Sequence, residues 1–269
     1  MNYRHGYHAG NFADVVKHLA LTAILLHLRK KDTAFSVVDS HAGRGSYDLT
    51  GAEAGKTGEA RNGIARLAAL PGDLPEALST YLSLVKESGA YPGSPLIAAK
   101  LLRPQDRLTA IEKHPEEFAA LENVLAPYRN CAAERADGYA RTLKLLPPPS
   151  RRGLVLIDPP FESPDEFSVL AQTLRDAVGK FATGIYLVWY PIKSQADADA
   201  FAGEVLAAGV AKAMIIDTQI AAPDGKLARA GLLAINPPYG MERTIRDAAA
   251  ILAPHLDAVI STSWLAGGE

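Results

Sequence analysis

Hydrophobic residues in this chain follow two alternating patterns: short aliphatic runs and longer stretches with helical spacing. The short runs predict strands at 35–39, 107–112, 131–135, 153–158, 184–190, 212–218 and 230–235. The helical spacing predicts helices at 13–30, 115–126, 138–145, 165–181, 195–208 and 241–253. Because strands that alternate with helices form parallel sheets through crossover connections, the pattern predicts an α/β fold with a mostly parallel, seven-stranded sheet.

Two segments depart from this simple alternation. Residues 47–92 are more than one crossover needs, and the amphipathic pieces EARNGIARLAAL and PEALSTYLSLVKES predict a small helical insertion. The turn residues of PDG at 223–225 lie between the last two predicted strands, which are therefore expected to form a terminal antiparallel hairpin. We expect residues 1–269 to form one domain that carries this insertion.

Composition narrows the class of protein. The single cysteine, Cys131, excludes a disulfide framework and a Cys-rich zinc site. The chain has no apolar run near the roughly 18–20 residues that cross a bilayer, and it does not begin with a secretory signal. We therefore expect a soluble, cytoplasmic protein without a membrane partner. The net charge of −2 provides no overall basic field, so contact with nucleic acid would need a local patch such as residues 1–18.

The first predicted strand ends in Asp39 and continues into a loop that contains Gly43 and Gly45. Ligands of doubly wound sheets bind at the carboxyl ends of the strands, where glycines allow close approach of the backbone. The loop lacks a complete G-x-G-x-x-G pattern, which argues against a pyrophosphate site and favours a mononucleoside cofactor such as S-adenosylmethionine.

Two further strand ends carry acids that suit such a cofactor. Glu112 closes the second strand, where a carboxylate can accept hydrogen bonds from both ribose hydroxyls. Asp137 and Gly138 follow the third strand, where a carboxylate can accept from the adenine amino group of the cofactor. Either acid alone could be an ordinary surface residue, but acids at three consecutive strand ends favour a cofactor site.

The tetrapeptide DPPF at 158–161 follows the buried fourth strand and predicts methylation of an exocyclic amine. Asp158 and the carbonyl of Pro159 can accept both N–H bonds of an adenine amino group, which directs the nitrogen lone pair toward a methyl donor. The prolines stiffen the turn and remove two backbone donors. The ring of Phe161 can stack on a base taken out of its helix. A plain turn capped by Asp158 is the structural alternative.

A second tetrapeptide, NPPY at 236–239, matches the same pattern by residue type. It follows the second strand of the predicted hairpin, which runs antiparallel to the other strands. Its position is therefore expected at the opposite edge of the sheet from Gly43 and Asp137, and Asn236 is interpreted as structural.

The amino-terminal segment combines aromatic, imidazole and cationic side chains. His5 and His8 have a spacing that metal ligands use, but no carboxylate or thiolate set completes a site, so no metal is expected. The segments YRHGYHAGNFADVVKH, DSHAGRG, YPGSPLIA, RADG and RRGLVLIDPPF together resemble the bacterial RlmJ family of 23S ribosomal RNA adenine-N6 methyltransferases. The similarity extends through nearly the whole chain.

This resemblance implies a Rossmann-like class I methyltransferase that uses S-adenosylmethionine and acts on adenine 2030 of 23S ribosomal RNA. The implied RNA is protein-free or an early assembly intermediate, and the implied enzyme is a monomer. The family's cofactor contacts fall on His18, His41, Ser94, Glu112, Asp137, Gly138 and Asp158. Asp158 matches its catalytic aspartate, and Lys17 lies in its amino-terminal motif and is assigned to catalysis. Substrate contact is assigned to Tyr3, Arg4 and His5.

One position departs from the family pattern, which has Tyr where this chain has Phe161. Stacking on a base, worth about 1–3 kcal/mol, survives that change, whereas a contact through the phenol hydroxyl does not. The tetrapeptide alone leaves three alternatives open: an adenine-N6 methyltransferase that acts on DNA, a catalytically silent RNA-binding protein, and a nicotinamide-dependent oxidoreductase.

Overall fold

The computed structural model of this chain describes residues 5–51, 56–70, 72–222 and 226–268. Its strands are β1 (Ser36–Asp39), β2 (Ser46–Tyr47), β3 (Tyr91–Pro92), β4 (Arg107–Glu112), β5 (Cys131–Arg135), β6 (Gly153–Ile157), β7 (Ile185–Pro191), β8 (Ala213–Ile220), β9 (Arg229–Ile235) and β10 (Ala258–Ala266). Its α-helices are α1 (Phe12–Arg29), α2 (Glu76–Glu87), α3 (Ser94–Leu101), α4 (Pro115–Leu125), α5 (Gly138–Leu145), α6 (Glu166–Lys180), α7 (Gln195–Ala207) and α8 (Met241–Leu256). Short 3-10 helices lie at His5–Tyr7, Glu59–Asn62 and Ile64–Leu67.

The main sheet has the strand order β10-β8-β9-β7-β6-β1-β4-β5. The five strands from β7 to β5 in this order pair in parallel. In contrast, β9 runs antiparallel to both of its neighbours, β7 and β8. The α/β class, the mostly parallel sheet and the β8–β9 hairpin are therefore confirmed; the predicted turn at 223–225 lies outside the described residues.

The predicted number of seven strands is wrong, because β10 pairs antiparallel with β8 as an eighth strand. Exposed and half-buried residues alternate along most of β10. An edge strand that is only half covered can place Ser and Thr between its apolar residues, as AVISTSWLA does. Aliphatic runs alone therefore do not mark this strand.

Helices cover both faces of the sheet. In β6, Leu154 and Leu156 join the core beneath α1, α2, α3, α4 and α8, whereas Val155 and Ile157 join the core beneath α6 and α7. All five residues of β6 are buried. The residues that follow β6 therefore extend from a firmly packed strand.

The insertion between β1 and β4 is closed at its base by the antiparallel pair of β2 and β3. The piece PEALSTYLSLVKES forms α2, as predicted. The piece EARNGIARLAAL forms two 3-10 helices rather than one amphipathic helix. Gly63 separates them because it packs against the amino-terminal segment: a Cβ there would lie 2.0 Å from the carbonyl oxygen of Gly10. The single-domain organisation stays a prediction.

Candidate active site

A cavity of about 480 Å³ opens at the carboxyl ends of β1, β4 and β6, within the range of about 300–1,000 Å³ that small-molecule sites occupy. Most of the predicted site residues line it: His5, Lys17, His18, His41, Gly43, Ser94, Glu112, Asp137, Gly138, Asp158 and Pro159. The structure thus brings the predicted cofactor and catalytic residues to one place. Tyr3 and Arg4 lie outside the described residues.

The loop after β1 approaches β4 closely through Gly43. Its φ is +60°, and a Cβ there would lie 2.3 Å from the hydroxyl oxygen of Tyr47, so glycine is required. The amide of Gly43 donates to Glu112 Oε2 at 2.9 Å, and the amide of His114 donates to Glu112 Oε1 at 2.7 Å. Burial raises the pKa of Glu112 despite these two donors. This carboxylate is consequently fixed at the cavity wall.

Ser94 begins α3 and supports the buried end of β1. Its hydroxyl donates to Asp39 Oδ2 at 2.7 Å. Burial raises the pKa of Asp39 to about 7, and its Oδ1 has no hydrogen-bond partner within the described part of the chain. An unpaired buried oxygen costs free energy, so a donor group from a bound molecule would stabilise this end of the strand.

Asp137 caps α5 and lines the cavity from the β5 side. Its Oδ1 accepts from the amide of Ala140 at 3.1 Å, and its Oδ2 pairs with Lys113 Nζ at 3.1 Å. Burial alone would raise the pKa of Asp137, but these two donors lower it overall. Gly138 has no space for a Cβ, which would lie 2.1 Å from the carbonyl oxygen of Ser40.

Tyr139 is a cavity residue that the sequence patterns did not single out, although it directly follows Asp137 and Gly138. Its ring lies edge-on to His41 at a centroid distance of 4.8 Å, and its hydroxyl donates to Glu166 Oε1 at 2.5 Å. Burial lowers the pKa of His41 to about 4, so this imidazole is neutral near pH 7. The pair forms an uncharged aromatic wall opposite the carboxylates.

The lining fits a cofactor that carries positive charge and no phosphate. Carboxylates outnumber lysines around the cavity, with Glu112, Glu117, Asp137, Asp158, Glu162, Asp165 and Glu166 against Lys17 and Lys113. A phosphate group would be repelled by this lining, whereas a sulfonium and an ammonium group would be attracted. S-adenosylmethionine has both of these cations.

Asp158 is held by a lysine that comes from the other end of the sequence. Lys17 Nζ donates to Asp158 Oδ2 at 2.5 Å and also pairs with Asp14 Oδ1 at 2.8 Å. Asp14 Oδ2 accepts in turn from His5 Nε2 and from the amide of Gly10, both at 2.9 Å. The predicted catalytic pair and the predicted substrate residue His5 therefore belong to one network.

Burial gives this network defined charges. Side chains of Asp14 and Lys17 are 2% and 4% exposed, and that of Asp158 is 16% exposed. Burial alone would raise the pKa of Asp14, but His5 and Lys17 hold it well below its ordinary value. Likewise, burial alone would lower the pKa of Lys17, but the two carboxylates raise it. Asp14 was not predicted, although its i, i+3 spacing to Lys17 on a predicted helix was a usable signal.

His18 connects α1 to the insertion. Its Nδ1 lies 2.8 Å from the hydroxyl of Tyr91, which lies 3.0 Å from the hydroxyl of Tyr81. Burial lowers the pKa of His18 to about 3. A neutral His18 thus packs at the boundary between the cavity and the insertion.

Phe161 is not among the residues that line the cavity. Its backbone has a φ of +48°, and its ring packs edge-on to Phe167 at 4.9 Å and to Trp189 at 5.9 Å. This arrangement anchors the loop after Asp158 in an aromatic cluster. Stacking of Phe161 on a base stays a prediction.

The second tetrapeptide lies at the opposite edge of the sheet, as strand direction predicted. Asn236 Nδ2 donates to the carbonyl oxygens of Ala182 and Gly184, both at 2.8 Å, and these residues immediately precede β7. The Asn236 side chain therefore satisfies backbone carbonyls at the amino end of a parallel strand. Tyr239 is 86% exposed.

The two amino-terminal histidines have different partners, since His5 pairs with Asp14 and His8 Nδ1 lies 3.0 Å from Glu59 Oε1. Within the described ranges, no three side chains of His, Cys, Asp or Glu are grouped as a metal site requires. Every helix described is too short or too polar to cross a lipid bilayer.

The Rossmann-like sheet, the glycine loop and the carboxylate-lined cavity beside Asp158 define an S-adenosylmethionine-dependent methyltransferase. Residues 32–266 match the family model described as "Ribosomal RNA large subunit methyltransferase D, RlmJ". The chain belongs to this family, and the predicted resemblance and cofactor are confirmed.

The relatives are similar over almost their full length. A Haemophilus influenzae protein named "Ribosomal RNA large subunit methyltransferase J" is 36% identical, with 98% of this chain and 97% of the relative covered. The Escherichia coli protein of the same name is 38% identical, with 92% and 91% covered. The crystal structure of a Legionella pneumophila protein has a TM-score of 0.88 at 32% identity and covers 95% of this chain and 98% of that chain.

Proposed function

We propose that this chain methylates the N6 amino group of an adenine in 23S ribosomal RNA, and that the target is the position numbered 2030 in the family's RNA. The observation that carries the proposal is the position of Asp158, at the end of a buried strand, on the cavity, with one oxygen bound to Lys17. The names of the two relatives support ribosomal RNA as the substrate.

Asp158 acts as the acceptor that orients the target amine. Lys17 occupies its Oδ2, which leaves the second carboxylate oxygen to accept an N–H bond of the amine, while the carbonyl of Pro159 accepts the other. The nitrogen becomes positively charged as it is methylated, and the carboxylate stabilises that charge and receives the proton afterwards. Bound S-adenosylmethionine supplies the electrophilic methyl group.

The remaining predicted residues are assigned by their positions. Glu112 would hold the ribose hydroxyls, Asp137 and Gly138 the adenine end, and His18, His41 and Ser94 the rest of the cofactor. Tyr3, Arg4 and His5 would contact the RNA next to Lys17. We further propose that the protein is a single-domain monomer in the cytoplasm that acts on protein-free RNA or an early assembly intermediate.

Methyl transfer from labelled S-adenosylmethionine tests this function. Deproteinised 23S RNA from cells that lack the protein, assembled large subunits and duplex DNA would be compared, with Asp158→Ala as the control. We expect label in free RNA, recovered as N6-methyladenosine and mapped to one nucleotide by mass spectrometry. Label only in DNA would overturn the substrate, and RNA binding without any label would indicate a catalytically silent protein.

A further inference from the structure

The amino-terminal segment and the insertion are packed against each other beside the active site. The amide of Ile64 donates to the carbonyl oxygen of Gly10 at 2.9 Å, and the hydroxyl of Thr57 donates to the carbonyl oxygen of Tyr7. Lys56 Nζ lies 5.6 Å from the centre of the Tyr7 ring. The position of one segment therefore constrains the position of the other.

Glu59, on the first 3-10 helix of the insertion, binds two side chains of the amino-terminal segment at once. Its Oε1 lies 3.0 Å from His8 Nδ1, and its Oε2 accepts from Asn11 Nδ2 at 3.1 Å. The Glu59 side chain is 23% exposed, so water only partly screens these contacts. The hydrogen bond to Glu59 raises the pKa of His8, which favours a charged pair.

Asn11 passes this constraint to the catalytic pair because it is the amino-terminal cap of α1. Its Oδ1 accepts from the amide of Asp14 at 2.9 Å, and Asp14 pairs with Lys17 three residues further along the helix. Lys17 holds Asp158. Glu59 is thus connected to the reacting carboxylate through one cap residue and one helical turn, without lying in the cavity lining.

We infer that Glu59 is a positioning residue for methyl transfer: it fixes the cap of α1 and, through that cap, the position of Lys17 against Asp158. The inference rests on the proposed function, since methyl transfer is the reaction that uses this pair. It assigns the insertion a role in catalysis in addition to any contact with RNA.

Kinetics of Glu59→Gln and Glu59→Ala test the inference, with Glu87→Gln as the matched control. Glu87 is an exposed glutamate on α2 of the same insertion. Because small misplacements of reacting groups cost up to about 100-fold in rate, we expect kcat to fall about 10-fold in Glu59→Gln and further in Glu59→Ala. KM for RNA and the affinity for S-adenosylhomocysteine should stay close to the parent values. A higher KM with unchanged kcat would make Glu59 an RNA contact and overturn the inference.

A double variant separates positioning from general structural support. If Glu59 acts through Lys17, then Glu59→Gln should lower kcat no further in a Lys17→Met background. Loss by the same factor in both backgrounds would contradict the inference. Melting temperatures of all variants identify any general loss of folding.

Hydrogen exchange without RNA tests the contact independently of activity. We expect amides of residues 10–17 to exchange faster in Glu59→Gln than in the parent or in Glu87→Gln, while α2 stays protected. Unchanged exchange at the cap would overturn the positioning role. An inactive parent enzyme with faster exchange in Glu59→Gln would instead contradict the proposed function and leave the contact intact.

Discussion

The tetrapeptides DPPF at 158–161 and NPPY at 236–239 have nearly the same residue types but opposite surroundings. DPPF follows a strand of the parallel set and places its acid on the cavity, where a lysine ammonium holds one oxygen. NPPY follows the antiparallel β9, and its amide donates to two backbone carbonyls at the other edge of the sheet. The difference teaches that strand direction, and not the tetrapeptide, decides which polar side chain can meet a substrate.

The sharpest way to break this comparison is to remove each polar side chain. We expect Asp158→Ala to lower kcat about 1,000-fold, because the amine loses its orienting carboxylate, with binding of S-adenosylhomocysteine largely kept. Asn236→Ala should methylate at close to the parent rate. Single-turnover methyl transfer and calorimetry measure both quantities. A folded but inactive Asn236→Ala variant would show that the wrong tetrapeptide was chosen.

The aromatic residues of the two tetrapeptides give the next largest contrast. Phe161→Ala should lower the free energy of unfolding by about 2–3 kcal/mol, because the ring packs against Phe167 and Trp189. It should also lower kcat, since the loop that carries Asp158 loses its anchor. Tyr239→Ala should change stability by less than about 0.5 kcal/mol, because its side chain is 86% exposed. Denaturant unfolding distinguishes these outcomes, and equal losses would contradict the contrast.

Asn236 should matter for stability alone. Its φ is +51°, and two carbonyl oxygens lose their donor when the amide is removed. We expect Asn236→Ala to lower the free energy of unfolding by about 2 kcal/mol. Asn236→Gly should restore the part that comes from backbone strain, since glycine adopts positive φ readily. If the glycine variant is no more stable than the alanine variant, strain is not the cause.

Most of the sheet and one side of the site could be predicted because they depend on local patterns. Aliphatic runs marked β1, β4, β6 and β7, and acids at strand ends marked Glu112 and Asp137. Strand direction, inferred from a turn between two runs, placed Asn236 correctly. These signals lie within a few residues of the feature they predict.

Contacts between distant segments account for what the sequence patterns missed. Gly63 interrupts a helical pattern because Gly10 lies against it, and Glu59 meets the amino-terminal segment only in the folded chain. Asp14 gains its role from a lysine whose other partner is Asp158, 141 positions after that lysine. The edge strand β10 lacks an aliphatic run because half of its side chains meet water. Such features follow from packing and not from periodicity.

The two edges of the sheet should also differ in their response to acid, and α1 provides a histidine near each edge. His18 is buried at the cavity, with a pKa lowered to about 3, whereas His27 is half-buried beside Pro238 and Tyr239. An unfolded histidine has a pKa of about 6.5, so the unfolded state binds the extra proton between these values. The stability that His18 contributes is present above pH 6.5 and is lost as pH falls toward 3.

We therefore expect the free energy of unfolding of the parent to fall as pH decreases from 6.5 to 4, with His18 contributing up to about 1.4 kcal/mol per pH unit. His18→Gln should reduce this slope, because glutamine does not titrate. His27→Gln should change it less, since water screens a half-buried imidazole. Denaturant unfolding at a series of pH values, below any loss of fold, gives the slopes. Equal slopes for the parent and His18→Gln would mean that His18 does not stay neutral in the folded protein.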